Sequence, residues 1–289
     1  MRPPDLITLT PLMARTSGSR QVVVALVDGP VLTSHPDLAA NVRALSGRTP
    51  DRHVEFTPRD YQHGTFAAGI LCARRGSPAP AICPGCELLV NPLPAEAATP
   101  DAEAPRAEAA DVAAAIVQCI DEGARVINVD VIIEHSSPGG EHALEAAVDY
   151  ATEHDVGVVV PATPGHAGTW RISAHPWVIP VVPYDLQGRP IGYADRAIGL
   201  RGVGAPGADV TSLGADIEPL TLGGASIAAP FVTGAIALLR SEFPDATLAA
   251  IRFALTQEYS TRRTSLVPPI LNAWAAYQFL KSAKSRGRR

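Results

Sequence analysis

Apolar runs and segments of helical periodicity alternate along most of the chain. Four short apolar runs predict strands: residues 22–27, 87–91, 125–133 and 157–162. The first is dense enough for a strand that is buried on both faces. Residues 108–122 and 141–154 place apolar side chains at helical spacing. This alternation predicts an α/β fold, with a doubly wound, mostly parallel sheet, helices on both faces, and sites at the carboxyl ends of strands.

Length and charge narrow the class of protein. A chain of 289 residues with 46% hydrophobic content can bury a large core, and we expect a single domain over residues 1–289. Residues 1–20 are expected to form an N-terminal arm, and the basic residues 281–289 a frayed tail. The net charge of −5 offers no basic face for nucleic acid, and no apolar run approaches the ~20 residues that span a membrane.

The N-terminal segment bears on location. Residues 1–20 lack the apolar central segment of a secretory signal, so nothing in them indicates export. We therefore expect a cytoplasmic protein.

Four cysteines are too few to define a disulfide framework. They are Cys72, Cys83, Cys86 and Cys119, with Cys83 and Cys86 in a C-x-x-C sequence. Buried apolar cysteines, a disulfide and a four-thiolate zinc site are the three interpretations. Zinc is disfavoured because Cys72 and Cys119 stand alone, and we predict neither a metal nor a cofactor.

The segment LGGASIAAPFVTG at residues 222–234 contains a candidate nucleophile, Ser226. Small residues around Ser226 allow a sharp bend before an apolar helix, and Pro230 is expected in the first turn of that helix. The N-terminus of a helix presents unpaired N–H groups where an oxyanion would develop. The alternative is a small-residue turn that opens a packed helix and has no chemical role.

Two distant segments favour the chemical interpretation. Asp28 lies at the carboxyl end of the first predicted strand, and His63 opens a helix in DYQHGTFAAGILCAR. An acid, a base and a nucleophile in the chain order Asp, His, Ser form one of the known orders of a catalytic triad. His35 is a competing base, but it precedes Pro36 and not a helix, so we predict a structural role for it.

These motifs resemble the subtilisin-like serine proteases. The segments VDGP with SHPDL, QHGTFAAG and GGASIAAPFVTG are similar to the three catalytic blocks of that family. Within the family, VALVDGPVLTSHPDL and ICPGCELLVNPL most resemble the proteases that mature cyanobactins, which are ribosomally made and modified peptides. The resemblance runs from about residue 10 to 245 and implies that Ser226 is the nucleophile, His63 the general base and Asp28 its orienting carboxylate.

One departure from the family concerns the oxyanion. The segment GVVVPATPGHAG places His166 where the family has an asparagine that donates a hydrogen bond to the oxyanion. A neutral imidazole can also donate one hydrogen bond. Alternatively, His166 points to solvent and the Ser226 backbone N–H acts alone. The residues before it, Thr163, Pro164 and Gly165, are candidate substrate-binding residues by the same resemblance.

A second departure lies in the strand at 125–133. By resemblance, Asp130, Val131 and Ile132 lie in the segment that pairs with the substrate backbone and forms a wall of the specificity pocket. The family has a small residue at Asp130 and glycine at Ile132. Asp130 could select a basic or amine-bearing substrate group, or local hydrogen bonds could hold it away from substrate, and Ile132 should narrow the cleft. Ala225 replaces a threonine usual in the family.

Three functions are consistent with these motifs. The first is a serine endopeptidase that removes the leader of a ribosomally made precursor peptide through an acyl-enzyme. The second is a catalytically weakened fold that binds peptides or pairs with a homologous protease subunit, suggested by the changes at Asp130, His166 and Ala225. The third is a general intracellular serine protease. The sequence does not decide whether water releases the acyl group by hydrolysis or a peptide amine takes it to form a macrocycle.

Overall fold

Strands and helices alternate in the computed structural model, which describes residues 1–45, 57, 59–93, 105–133, 137–162, 172–192, 196–257 and 267–286. The strands are β1 (Val23–Asp28), β2 (Val42–Ala44), β3 (Glu87–Pro92), β4 (Arg106–Ala107), β5 (Ala124–Val129), β6 (Ile132–Ile133), β7 (Gly157–Pro161), β8 (Ile179–Tyr184), β9 (Val203–Pro206), β10 (Val210–Leu213) and β11 (Pro219–Leu222). The helices are α1 (Pro3–Leu6), α2 (Thr10–Arg15), α3 (Tyr61–Cys72), α4 (Ala109–Asp121), α5 (Pro138–Glu153), α6 (Arg196–Arg201), α7 (Ala225–Glu242), α8 (Leu248–Thr256) and α9 (Ala273–Arg286).

A seven-stranded sheet organises the molecule, in the order β2-β3-β1-β5-β7-β8-β9. Every neighbouring pair in it is parallel. The predicted doubly wound α/β fold is therefore confirmed. β1 is an interior strand, between β3 and β5. Its carboxyl end at Asp28 therefore lies near the middle of the side of the sheet where the parallel strands end, which is where parallel sheets place their sites.

Helices cover both faces of this sheet because successive strand residues point to opposite sides. Val24 and Leu26 of β1 pack into one core cluster with residues of α3 and α7. Ala25 and Val27 pack into a second cluster with residues of α4 and α5. This two-sided burial explains why β1 is an almost unbroken apolar run.

The prediction of one strand over residues 125–133 is wrong in one respect, because the structure divides this segment at Asp130 into β5 and β6. The Asp130 backbone N–H donates to the Val27 carbonyl of β1 at 2.8 Å, just past the last residue of β5. The chain then leaves the main sheet, and Ile132 pairs with Arg106 of β4 in a separate two-stranded sheet. Apolar runs alone do not show where a chain changes its pairing partner.

The two chain ends take part in the fold through buried side chains at one end and a helix at the other. Ile7, Leu9 and Leu12 are fully buried in the first core cluster, so the N-terminal arm is part of the core. Of the tail expected to fray over 281–289, the described part is helical, because α9 continues to Arg286. Lysine, arginine and alanine favour helix, and cations suit a helix C-terminus. Residues 287–289 lie outside the described chain.

The four cysteines are buried thiols, without a disulfide. Cys72, Cys83 and Cys86 lie in the core cluster on one face of the sheet, whereas Cys119 lies in the cluster on the other. This separation rules out a common four-thiolate zinc site. In the part of the chain that the structure describes, no group of three or more His, Cys, Asp or Glu side chains is placed to hold a metal ion. Likewise, no described helix is both long and apolar enough to cross a membrane.

Candidate active site

The helix that carries His63 is held against the turn after β1. A β-carbon on Gly64 would lie 2.6 Å from both the Gly29 and the Pro30 carbonyl oxygens, closer than real contacts allow. Glycine therefore lets the start of α3 approach the end of β1. His63 is the residue before Gly64, so this contact brings its ring to Asp28.

The helix that carries Ser226 begins at a glycine as well. Gly224 is the N-cap of α7 and has φ of 130°, a conformation open mainly to glycine. Ser226 is the second residue of the helix and is 5% exposed. The N–H groups of this first turn point out of the helix end, and among the described residues no side chain caps them. They are placed to receive negative charge.

Pro230 lies deeper in α7 than predicted. It is the sixth residue of the helix and not part of its first turn. A proline at this position has no N–H to donate to the carbonyl four residues earlier, which belongs to Ser226. The helix therefore loses one internal bond directly below the serine.

Asp28, His63 and Ser226 form one hydrogen-bonded chain. Nδ1 of His63 lies 2.8 and 2.9 Å from the two carboxylate oxygens of Asp28, and Nε2 lies 3.1 Å from Oγ of Ser226. The Asp28 side chain is fully buried, and its Oδ1 also accepts the Gly29 N–H at 2.6 Å. A carboxylate on Nδ1 holds the proton there, which leaves the Nε2 lone pair free to accept a proton from Ser226.

His35, the competing candidate for the catalytic base, makes its hydrogen bond away from the triad. His35 is 3% exposed, and its Nδ1 accepts the Asp37 N–H at 3.1 Å, which is a local turn contact. The structure does not describe the segment predicted to hold the oxyanion and the substrate. This segment contains His166, Thr163, Pro164 and Gly165.

Asp130, Val131 and Ile132 occupy the step between β5 and β6. Asp130 is fully buried and Val131 is 2% exposed, so neither presents its side chain to solvent. The Asp130 carboxyl group accepts a hydrogen bond from Asn128 Nδ2 at 2.9 Å, which is the kind of contact that the local alternative describes. Ile132 is partly exposed, but its backbone N–H already donates to Pro105 at 2.7 Å. That N–H is not available to a substrate strand.

A buried polar group that the sequence did not predict lies behind the site. Thr233 of α7 donates to Asn128 Oδ1 at 2.7 Å, and Asn128 in turn contacts Asp130. All three residues are fully buried. The available signal was Asn128 and Asp130 inside one apolar run and Thr233 inside another, because buried polar groups require partners.

Replacing Gly64 by alanine is expected to separate His63 from its partners. The added methyl group meets two backbone carbonyls, so α3 must move away from the turn after β1. A displacement of about 1 Å at a catalytic group can lower the rate by about 100-fold. The measurement is kcat/KM on a peptide substrate, with circular dichroism to show that the fold persists.

Gly139→Ala is the matched control for Gly64→Ala. Gly139 lies in the first turn of α5, and apart from its chain neighbours and the backbone of its own helix, no described atom lies within 4 Å of the position that its β-carbon would take. Alanine there should leave kcat/KM unchanged. Equal activity in the two variants would show that the close approach at Gly64 does not position His63.

The parallel sheet and the Asp–His–Ser chain at its carboxyl edge together define the class of subtilisin-type serine hydrolase sites. A profile of the Subtilase family matches residues 19–178, which is more than half of the chain. The chain therefore belongs to the subtilase family.

Individual relatives agree with this assignment. Fervidolysin from Fervidobacterium pennivorans is 30% identical over 279 residues, and the match covers 86% of this chain but only 38% of that protein. The prenylagaramide maturation protease PagA has a TM-score of 0.77 at 25% identity, covering 94% of this chain and 98% of that one. The self-cleaved protease domain of PatA has a TM-score of 0.72 at 25% identity, covering 92% and 98%.

Proposed function

We propose that this chain is a serine endopeptidase that cleaves a ribosomally made precursor peptide. The observation that carries the proposal is the hydrogen-bonded chain from Asp28 through His63 to Ser226. Membership of the subtilase family supports the reaction class.

In the first step, Oγ of Ser226 attacks the carbonyl carbon of the scissile peptide bond. Nε2 of His63 takes the Oγ proton, and the carbonyl electron pair moves onto oxygen. Asp28 stabilises the imidazolium that forms, through its two contacts with Nδ1. The first-turn N–H groups of α7, including that of Ser226, stabilise the oxyanion.

In the second step, the tetrahedral intermediate collapses. Nε2–H of His63 gives its proton to the leaving amine as the C–N bond breaks, and the acyl group stays on Ser226. Neutral His63 then takes a proton from a water molecule, which attacks the acyl carbon. The proton returns to Oγ when the carboxylic acid product leaves.

The substrate class rests on the relatives. PagA is a prenylagaramide maturation protease, and its structure aligns with this chain over nearly its whole length. A precursor peptide with a leader is therefore the substrate that we propose, and leader removal the step. We further propose that the enzyme acts in the cytoplasm, where buried thiols such as the four found here stay reduced.

The test uses purified protein, synthetic leader-plus-core peptides encoded close to its gene, and denatured casein as a general substrate. Mass spectrometry identifies the cut bonds, and the Ser226→Ala protein is the control. Cleavage at one position of a precursor peptide, with little cleavage of casein, is the expected result.

Two other results would change the proposal. Broad cleavage of casein would replace the precursor-peptide substrate with general proteolysis. Tight binding of a precursor without cleavage by the unsubstituted protein would replace the enzyme with a peptide-binding module.

A further inference from the structure

Asp130 is a second buried carboxyl group beside the proposed triad. It directly follows β5, and β5 pairs with β1, which ends at Asp28. Its backbone N–H is bonded to the carbonyl of Val27, the residue before Asp28. The side chain is completely removed from solvent. Its backbone is therefore fixed next to that of Asp28.

Only one of the two carboxyl oxygens of Asp130 is satisfied. Oδ2 accepts from Asn128, whose own oxygen accepts from Thr233 of α7. Oδ1 is buried and, among the described residues, has no hydrogen-bond partner. Leaving such a group unpaired costs about 1–3 kcal/mol, and a catalytic role is one of the explanations for a buried orphan of this kind.

Two groups of the triad influence the pKa of this carboxyl. Burial raises the pKa of Asp130 well above its ordinary value, His63 lowers it, Asp28 raises it, and the Asn128 amide lowers it. His63 belongs to α3, Asp28 to β1 and Asn128 to β5. From α7, the uncharged Thr233 contacts Asn128. Removal from water is the largest of these effects, so the neutral acid is the favoured form.

We propose that Asp130 is a positioning residue of the triad: a buried carboxyl group that carries its proton on Oδ1 and whose charge state sets how strongly the imidazolium of His63 is stabilised. The proposal rests on the proposed function, because it assigns a role in the same reaction. Oδ1 is the oxygen for the proton because Oδ2 already accepts a hydrogen bond.

The reaction has two regimes as a consequence. While Asp130 is neutral, Asp28 alone balances the positive charge that His63 acquires from Ser226. Once Asp130 releases its proton to solvent, two carboxylates stabilise that charge, and proton transfer from Ser226 becomes easier. The rate should therefore rise twice with pH, first as His63 becomes neutral and again as Asp130 ionises.

The first test measures protonation of Asp130 without measuring activity. Thermal unfolding is followed from about pH 5 to about pH 9 in Ser226→Ala protein, which cannot cleave itself, with and without Asp130→Asn. The unfolded chain releases the Asp130 proton near its ordinary pKa of 3.8, whereas the folded chain keeps it. The folded state thus binds one more proton, and rising pH destabilises the protein that contains Asp130 relative to the variant.

The expected change is about tenfold in the unfolding equilibrium constant per pH unit, or roughly 2–4 °C in Tm. It ends where the folded carboxyl ionises. The matched control is Glu145→Gln, which removes an exposed carboxylate from α5. A Tm difference between the Asp130 proteins that stays constant with pH would overturn the proposal. If Asp130→Asn does not fold, the same measurement uses Asp130→Ser, which places a small uncharged residue at this position.

The second test measures the labelling rate with a fluorophosphonate from about pH 5 to about pH 10, corrected for reagent hydrolysis. The unsubstituted protein should show two ascending limbs, with a gain of about tenfold in the second. Asp130→Asn should show the first limb only, and Glu145→Gln should show both. A residue with a purely structural role would change the overall rate and not the number of limbs.

The outcomes separate this inference from the proposed function. A single limb in both the unsubstituted protein and Asp130→Asn would overturn the role of Asp130 while leaving the endopeptidase intact. Absence of labelling in the unsubstituted protein at every pH would remove the endopeptidase, and the unfolding measurement would still decide whether Asp130 is protonated.

Discussion

Ser226→Ala is expected to lower peptide cleavage by on the order of 10⁶-fold and to abolish labelling by a fluorophosphonate. The hydroxyl oxygen is the atom that attacks the carbonyl, and no other group in the hydrogen-bonded chain from Asp28 can replace it. Removing it also deprives the His63 Nε2 of its partner. Residual activity would come only from binding and from the N–H groups at the start of α7.

The control for this substitution is Ser282→Ala, the same chemical change on the exposed surface of α9. It should leave cleavage and labelling at the level of the unsubstituted protein. Cleavage by Ser226→Ala within about tenfold of the unsubstituted rate would remove Ser226 as the nucleophile.

The second large effect is expected from Asp28→Asn, which should lower kcat/KM by about 10⁴-fold. The amide has nearly the same shape, but its NH₂ group donates where the carboxylate accepted. His63 then places its proton on Nε2, so that nitrogen can no longer take a proton from Ser226. The buried site also loses the negative charge that stabilises the imidazolium.

Asp149→Asn is the control for Asp28→Asn, because the exposed Asp149 carboxylate lies 3.2 Å from Nε2 of His175, away from the site. It tests the same change in a histidine–carboxylate pair outside the site, and kcat/KM should not change. Circular dichroism and unfolding curves establish that both variants fold. A decrease of less than tenfold for Asp28→Asn would show that the carboxylate does not hold the tautomer of His63.

Local signals predicted the parallel sheet, and with the resemblance to the subtilisin-like proteases they pointed to Asp28, His63 and Ser226, which the structure brings together. Each of these residues lies where an apolar run ends or begins, and parallel strands bring such ends to one edge. Gly64 and Gly224 are visible in the sequence as small residues, but only the fold shows that one allows a close approach and the other an unusual φ.

Other features depend on tertiary contacts that a sequence does not display. Whether Asp130 points into a pocket or into the core depends on where the chain leaves the sheet, and that is set by its pairing with Val27. The burial of Leu9 and Leu12 in the N-terminal arm depends equally on distant helices. The position of Pro230 was missed because helix starts are uncertain by a residue or more.

The most direct test of the account is to locate the site of fluorophosphonate attachment in the unsubstituted protein. Trypsin releases residues 202–240 as one peptide, which contains both Ser212 and Ser226, and tandem mass spectrometry separates the two positions. A single adduct on Ser226, absent from Asp28→Asn treated for the same time, is the predicted result. An adduct on any other residue, or no adduct on folded protein, would contradict the assignment of an activated serine at the start of α7.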